Sequence, residues 1–379
     1  MINARQTSDR YKDNGKRLTM KDVVIVSGVR TAVGDFLGVL KDSTCVELGV
    51  IALKSAMEKA NIDPKHIEEV VCGNPDMAGA KSNPGRQIAI YAGCPWETVA
   101  CTINQQCVSS MRAAEIMYQE ILLGKVEIGA VVGCSSMSNI PYLLMGARSG
   151  LRMGNQQVVD GMYNDGMIDA FYNVLMGVTA ENIVDMYSIS RVEQDEFALM
   201  SHHRACAAIN NKTLADEIAP VEVKTKEGTR IVYTDEHPRQ GLTMEDLAKL
   251  KPVFRKDGTV TAGNSSGIND GAAALVMMSL DKSRELGIKP LARAGQDECT
   301  GRGYFPRPSR RHDRRPPACV TDPRDASSRR ALWRRCPLRR RRTSHEHDCG
   351  SHLILLGHLV KRIPRFQGNL LIRHIIRQW

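Results

Sequence analysis

The chain reads as an α/β protein with a layered, largely parallel sheet, and three observations predict it. Apolar strand-like runs alternate with helical stretches of 3.6-residue periodicity. Each early helix carries a start or stop signal. A chain of 379 residues with a 42% hydrophobic fraction is long enough for two or three domains rather than one small core.

The elements follow in order. Val23–Val26 is a short apolar run that reads as a buried strand. Thr44 and Glu47 make a capping box, and Val46, Val50, Leu53, Met57 and Ala60 mark one helix face, with Asp63-Pro64 as the stop. Val70-Val71-Cys72 is a second strand. Met111, Ala114, Met117 and Ile121 mark a second helix face that Gly124 terminates, and Ile128–Val132 is a third strand. This β-α-β-α-β run argues for helices packed on a sheet. Residues from about 138 to 262 are rich in loops and contain one well-capped helix, Ser190 with Glu193, so they read as an insertion carrying loops over a site. The Gly-rich run Thr261–Gly271 leads into an apolar strand, Ala272–Met278.

Charge is unevenly distributed. From residue 301 onward there are 19 Arg, one Lys and five acidic residues, net +15, which leaves residues 1–300 with 32 basic and 37 acidic groups, net −5. The excess basicity therefore belongs to the tail. Arg334, Arg335 and Arg339–Arg342 would attract polyanions nonspecifically, but no nucleic-acid module accompanies them, so nucleic acid is not the expected partner. His345, His347, Cys349 and His352 match no standard zinc spacing, and no metal is expected. The eleven cysteines form no C-x-x-C pair. No secretory signal or apolar run of membrane length is evident, so the expected place is the cytoplasm, away from membranes. Residues 1–19 read as a disordered extension before Met20.

Cys107 is the candidate for chemistry. It follows a polar, turn-prone run, Asn104-Gln105-Gln106, and precedes a helix. Unpaired N–H groups and the helix dipole at such a position favour a thiolate. The alternative is a small buried residue at a helix start.

Several ordered segments resemble the thiolase family. They are Arg30–Phe36, Asn104–Ala113, Ser136–Tyr142, Met176–Asn182, Ser190–Ala198 and Gly258–Val276, within a resemblance covering roughly residues 20–293. The resemblance implies a thiolase-like layered α-β-α-β-α fold with an inserted loop domain. It divides the chain into a disordered extension (1–19), an N-terminal thiolase domain (20–137) and a loop domain (138–262). A return segment that starts the C-terminal half follows (263–293), then an unmatched Arg/Pro-rich tail (294–379). It implies an acyltransferase that exchanges acyl groups between coenzyme A and Cys107, in the acetyl-CoA-condensing branch. Coenzyme A thioesters would be substrates, and no resident cofactor is implied. Arg239 would lie near the adenine and phosphate end, Ser266 would contact the pantetheine amide, and Met176 would line the tunnel. Apart from the resemblance, Arg239 reads as a solvated loop cation and Ser266 as a turn serine. A homodimer or homotetramer is implied. The second reading is a non-catalytic thiolase-like subunit of a heteromeric 3-ketoacyl-CoA thiolase.

Departures are also evident. Val108 stands where the family favours a smaller residue, Cys134-Ser135 replaces a common Met-Glu, and Leu175 replaces a frequent His. The family's Asn-Glu-Ala-Phe, Gly-His-Pro and late-Cys segments, which hold the activating His, second Cys and water-orienting Asn, are not found. The second half of the fold therefore reads as incomplete, and little turnover is expected. A frame change near codon 295 is the leading explanation of the tail.

Overall fold

The computed structural model describes residues 20–294, together with the backbone of two paired dipeptides at Lys12–Asp13 and Lys16–Arg17. The sequence readings of the remaining N-terminal residues and of the tail, including Arg334 to His352, lie outside the described residues.

One mixed sheet organises the molecule. Its principal strands are β1 (Val23–Thr31), β2 (Glu69–Gly73), β3 (Val99–Ile103), β4 (Ile128–Ser136), β5 (Ile218–Ala219) and β6 (Asn269–Ser279). They lie in the order β5-β1-β6-β4-β2-β3, with Gly34–Asp35 added on β6 and Ala292–Arg293 on β1. Strands β5 and β1 are parallel, as are β4, β2 and β3. Strand β6 runs antiparallel between β1 and β4. The expected parallel sheet therefore holds for five strand directions, but its centre is antiparallel. β6 is a long apolar strand that reaches the sheet only after the loop segment, and it separates β1 from β4.

Helices cover both faces. Helices α1 (Cys45–Ala60) and α2 (Pro84–Tyr91) pack on one face, where Leu48, Leu53, Met57 and Ile88 meet Val24, Val70, Val132 and Val276. Helix α3 (Ser109–Leu122) packs on the other, where Ala113, Met117 and Ile121 meet Val71, Val131 and Met277. The apolar alternation along each strand feeds the two cores, so both faces are buried.

Most local signals act where the sequence places them. Thr44 and Glu47 close the α1 capping box, and Gly124 takes φ +72° just past α3. Two readings need correction. Helix α1 stops at Asn61, which adopts φ 53° and donates its N–H back into the helix, while Asp63-Pro64 opens a separate 3-10 turn. Met111 is 54% exposed and does not share the buried face, which runs Ser109, Ala113, Met117, Ile121. Helix α2 and strand β3 had no strong periodic signal. Asn83 caps α2 with Pro84 at its first position, an arrangement that suits proline's missing N–H.

The loop segment adds α4 (Met176–Tyr187), α5 (Arg191–Asn210), α6 (Met244–Ala248) and a hairpin of Val221–Thr225 with Gly228–Val232. The capping box of Ser190 and Glu193 opens α5. Arg30 on β1 anchors this segment. Its guanidinium donates to both oxygens of Asp235, at 2.6 and 2.9 Å, and to Glu217 at 2.7 Å, with all three side chains buried. Among the described residues, no helix is long and apolar enough to cross a membrane.

Candidate active site

The carboxyl ends of β1, β4, β2 and β3 point to one edge of the sheet, where ligands bind in open α/β sheets. Strand β3 ends at Ile103 and the chain turns through Asn104–Val108 into α3, which places Cys107 at that edge. Two glycines make the placement possible. Gly73 of β2 and Gly133 of β4 lie opposite each other in register. A Cβ on Gly73 would lie 2.4 Å from the backbone of Ser109, and one on Gly133 would lie 2.1 Å from Ser110 Oγ. The start of α3 therefore sits directly on bare strand backbone. This docking also rotates the helix, which is why Met111 turns outward.

The turn itself is closed by side chains. Asn104 donates through Nδ2 to the Pro75 carbonyl at 2.7 Å and accepts the Gln106 N–H at 2.9 Å. Gln106 adopts φ 50°, a left-handed conformation that an Asn two residues earlier helps to hold. Ser109 Oγ accepts the Gln105 N–H at 2.9 Å and donates to the Gln106 carbonyl at 2.6 Å. Sequence reasoning singled out neither Ser109 nor the two glycines. Their signal lies in the pairing of β2 with β4, which is visible only in three dimensions.

Cys107 is exposed, which removes the buried-core alternative. Three of the other described thiols are disfavoured as nucleophiles. Hydrogen bonding to Cys134 and burial push Cys45 far up, burial pushes Cys94 up to about 11, and burial raises Cys101. Beside the turn lies a cavity of about 270 Å³ whose lining includes Asn104, Asp76, Ile140 and Asp165. Burial raises the carboxyl pKa of Asp76 above its usual 3.8, Ser135 opposes that rise, and Asp165 adds to it.

The three residues expected to hold coenzyme A lie on α4, the Gly-rich loop and the segment after the hairpin. Met176 is the first residue of α4 and is 47% exposed. Glu181 on the same helix is fully buried and accepts the Thr259 and Val260 N–H groups, each at 2.8 Å. That contact ties α4 to the irregular segment leading into the Gly-rich loop. Gly177 packs against the Phe254 ring, where a Cβ would lie 2.3 Å away. Ser266 is exposed in the loop that follows. The adjacent Gly267 lies against His237, since a Cβ there would sit 2.4 Å from the ring. His237 in turn pairs with Asp35 at 2.5 Å. Arg239, two residues on, is exposed, and its N–H donates to His202 Nδ1 at 3.2 Å. The contacts thus bring the Ser266 loop and the Arg239 segment together through His237. Asp270, at the start of β6, is buried and accepts from Ser138 N and Oγ at 2.9 and 2.6 Å, and burial raises its carboxyl pKa. Among the described residues, no cluster of three or more side chains is arranged to hold a metal ion.

Comparison with known proteins matches residues 23–281 to the thiolase N-terminal domain model. The acetyl-CoA acetyltransferase of Pseudomonas aeruginosa is 46% identical over 275 residues, which is 72% of this chain and 70% of that protein. The acetyl-CoA acetyltransferase of Cupriavidus necator is 45% identical over 274 residues, again 72% of this chain and 70% of that protein. The solved structure of acetyl-CoA acetyltransferase from Syntrophomonas wolfei superposes with a TM-score of 0.71 at 46% identity, covering 72% of this chain and 69% of that one. The Bacillus anthracis acetyl-CoA acetyltransferase gives a TM-score of 0.71 at 41% identity, covering 73% and 70%.

Proposed function

The chain belongs to the thiolase family, and from that premise we propose that it is an acetyl-CoA C-acetyltransferase in which Cys107 carries the acyl group. The observation that supports this most is the exposed thiol at the carboxyl edge of the sheet, on a turn rigidly held over Gly73 and Gly133. In this reading the Cys107 thiolate attacks the thioester carbon of acetyl-CoA, and coenzyme A departs with the electron pair as its thiolate, which takes up a proton. The α-carbon of a second acetyl-CoA, after giving its proton to a base, then attacks the acyl-enzyme carbonyl and displaces the Cys107 thiolate to give acetoacetyl-CoA. Thiolysis is the reverse. Coenzyme A would lie along Arg239, Ser266 and Met176, with its thioester as substrate and no resident cofactor required. A homodimer or homotetramer acting in the cytoplasm completes the proposal. The non-catalytic partner-subunit reading receives no support from these relatives.

The activating His, second Cys and orienting Asn belong to segments not found in this sequence. The half-reaction is therefore the direct test. Full-length protein incubated with acetyl-CoA is expected to gain one acetyl group, mapped by mass spectrometry to Cys107. Slow loss of acetoacetyl-CoA absorbance on adding coenzyme A is the companion measurement. Acetylation no greater than in a Cys107→Ala control would remove the reading.

A further inference from the structure

We propose that Ser109 is a positioning residue for acyl transfer: its hydroxyl orients the Gln106–Cys107 peptide so that the Cys107 N–H faces outward to receive the developing oxyanion. The inference rests on Cys107 being the acyl acceptor.

Ser109 is 1% exposed, so its hydroxyl is committed to protein partners. It donates to the Gln106 carbonyl at 2.6 Å, and the Ser109 N–H donates to the same oxygen at 3.0 Å. That carbonyl is therefore pinned toward the first turn of α3 from two directions. The chain contains no cis peptide among the described residues. In a trans peptide the C=O and the following N–H point in opposite directions. Pinning Gln106 O toward the helix thus turns Cys107 N–H away from it. Two donors on one carbonyl also polarise the amide and strengthen its N–H as a donor.

The preceding peptide is held in the same manner. Asn104 accepts Gln106 N–H, and the Gln105 carbonyl accepts Val108 N–H at 3.2 Å. Ser109 Oγ closes the loop by accepting Gln105 N–H at 2.9 Å. Gln106 cannot relax from φ 50° without breaking one of these bonds. One hydroxyl thus sets the direction of the amide beside the nucleophile, although it touches neither sulfur nor substrate.

The chemistry separates this role from a merely structural one. When the Cys107 thiolate adds to an ester or thioester, the carbonyl oxygen takes up negative charge. The bond to the leaving group then breaks, and that group departs with the electron pair. An outward N–H stabilises the oxygen only in this reaction. Displacement of iodide from iodoacetamide by the same thiolate builds no oxyanion. The ratio of the two rates therefore cancels thiol exposure and ionisation.

The experiment uses full-length protein and p-nitrophenyl acetate as acyl donor. Single-turnover release of p-nitrophenolate is read after subtracting the Cys107→Ala background, and iodoacetamide alkylation of Cys107 is read by peptide mass. Ser109→Ala is expected to slow acetylation by about 10- to 100-fold while alkylation changes by less than about twofold. Ser109→Thr, which keeps the hydroxyl, is expected to restore most of the acetylation rate. Equal losses in both reactions, or no loss in either, would overturn the inference. Peptide mapping that places the acetyl group on another residue would overturn the reading of Cys107 and this inference with it.

Discussion

Gly73 and Gly133 set how closely α3 approaches the sheet, and they do so unequally. Against Gly73 the obstructing atoms are the backbone of Ser109 and Ser110, which cannot rotate away. Against Gly133 the nearest atom is the Ser110 hydroxyl. Gly73→Ala is therefore expected to cost about 1–3 kcal/mol by overpacking and to displace the Cys107 turn. Gly133→Ala should cost less, and pairing it with Ser110→Gly should recover most of that loss. Denaturant unfolding of the two single variants and the double variant checks this, because a cycle with no coupling between 133 and 110 contradicts the contact. At this scale the sequence singled out Cys107 but not what holds its turn. Cys107 stood out because a polar run led into a helix. Ser109 carried no signal of its own, since its bonds to Gln105 and Gln106 are defined only once the turn closes. The helix face was misphased at Met111 for the same reason: docking onto bare glycine backbone, rather than apolar count, set its rotation.

At the scale of elements, β1 is held to the loop segment by a buried ion triad. Replacing Arg30 by Met leaves Asp235 and Glu217 buried without their cation, an expected loss of about 3–5 kcal/mol. Arg30→Lys keeps the charge but cannot serve both Asp235 oxygens and Glu217 at once, so an intermediate loss is expected. Chemical denaturation ranks the three proteins, and an Arg30→Met variant as stable as the parent would contradict the triad's role. Elements with local signals were readable: Thr44 with Glu47 and Ser190 with Glu193 each satisfy helix-end N–H groups within four residues of sequence. Strand β3 and helix α2 were not. β3 is a half-buried strand of mixed residues, and α2 is eight residues long, too short for periodicity to speak. The place of β6 between β1 and β4 was equally hidden, because it depends on partners more than 130 residues away.

For the whole molecule, the carboxyl edge of the sheet holds one buried and one half-buried acid, Asp270 and Asp76. Burial raises the pKa of Asp270 and Asp76 above 3.8 in the folded chain. The folded state then holds the proton more tightly than the unfolded state. The contribution is fully present below 3.8 and is lost as pH rises through the elevated folded value. Relative to Asp270→Asn, the parent should therefore lose stability as pH rises from about 4 toward 7. Urea midpoints for both proteins across that range test the sign, and parallel curves would contradict it.

The central strand carries a consequence for biosynthesis. Residues 269–279 are translated after the strands on both sides of them, β1 and β4. Until residue 279 leaves the ribosome, β1 and the β4-β2-β3 set each present an open edge to the cell. A nascent chain in that interval is exposed to strand-edge aggregation, and chaperones would have their longest engagement there. A ribosome stall before residue 269 yields two unjoined half-sheets.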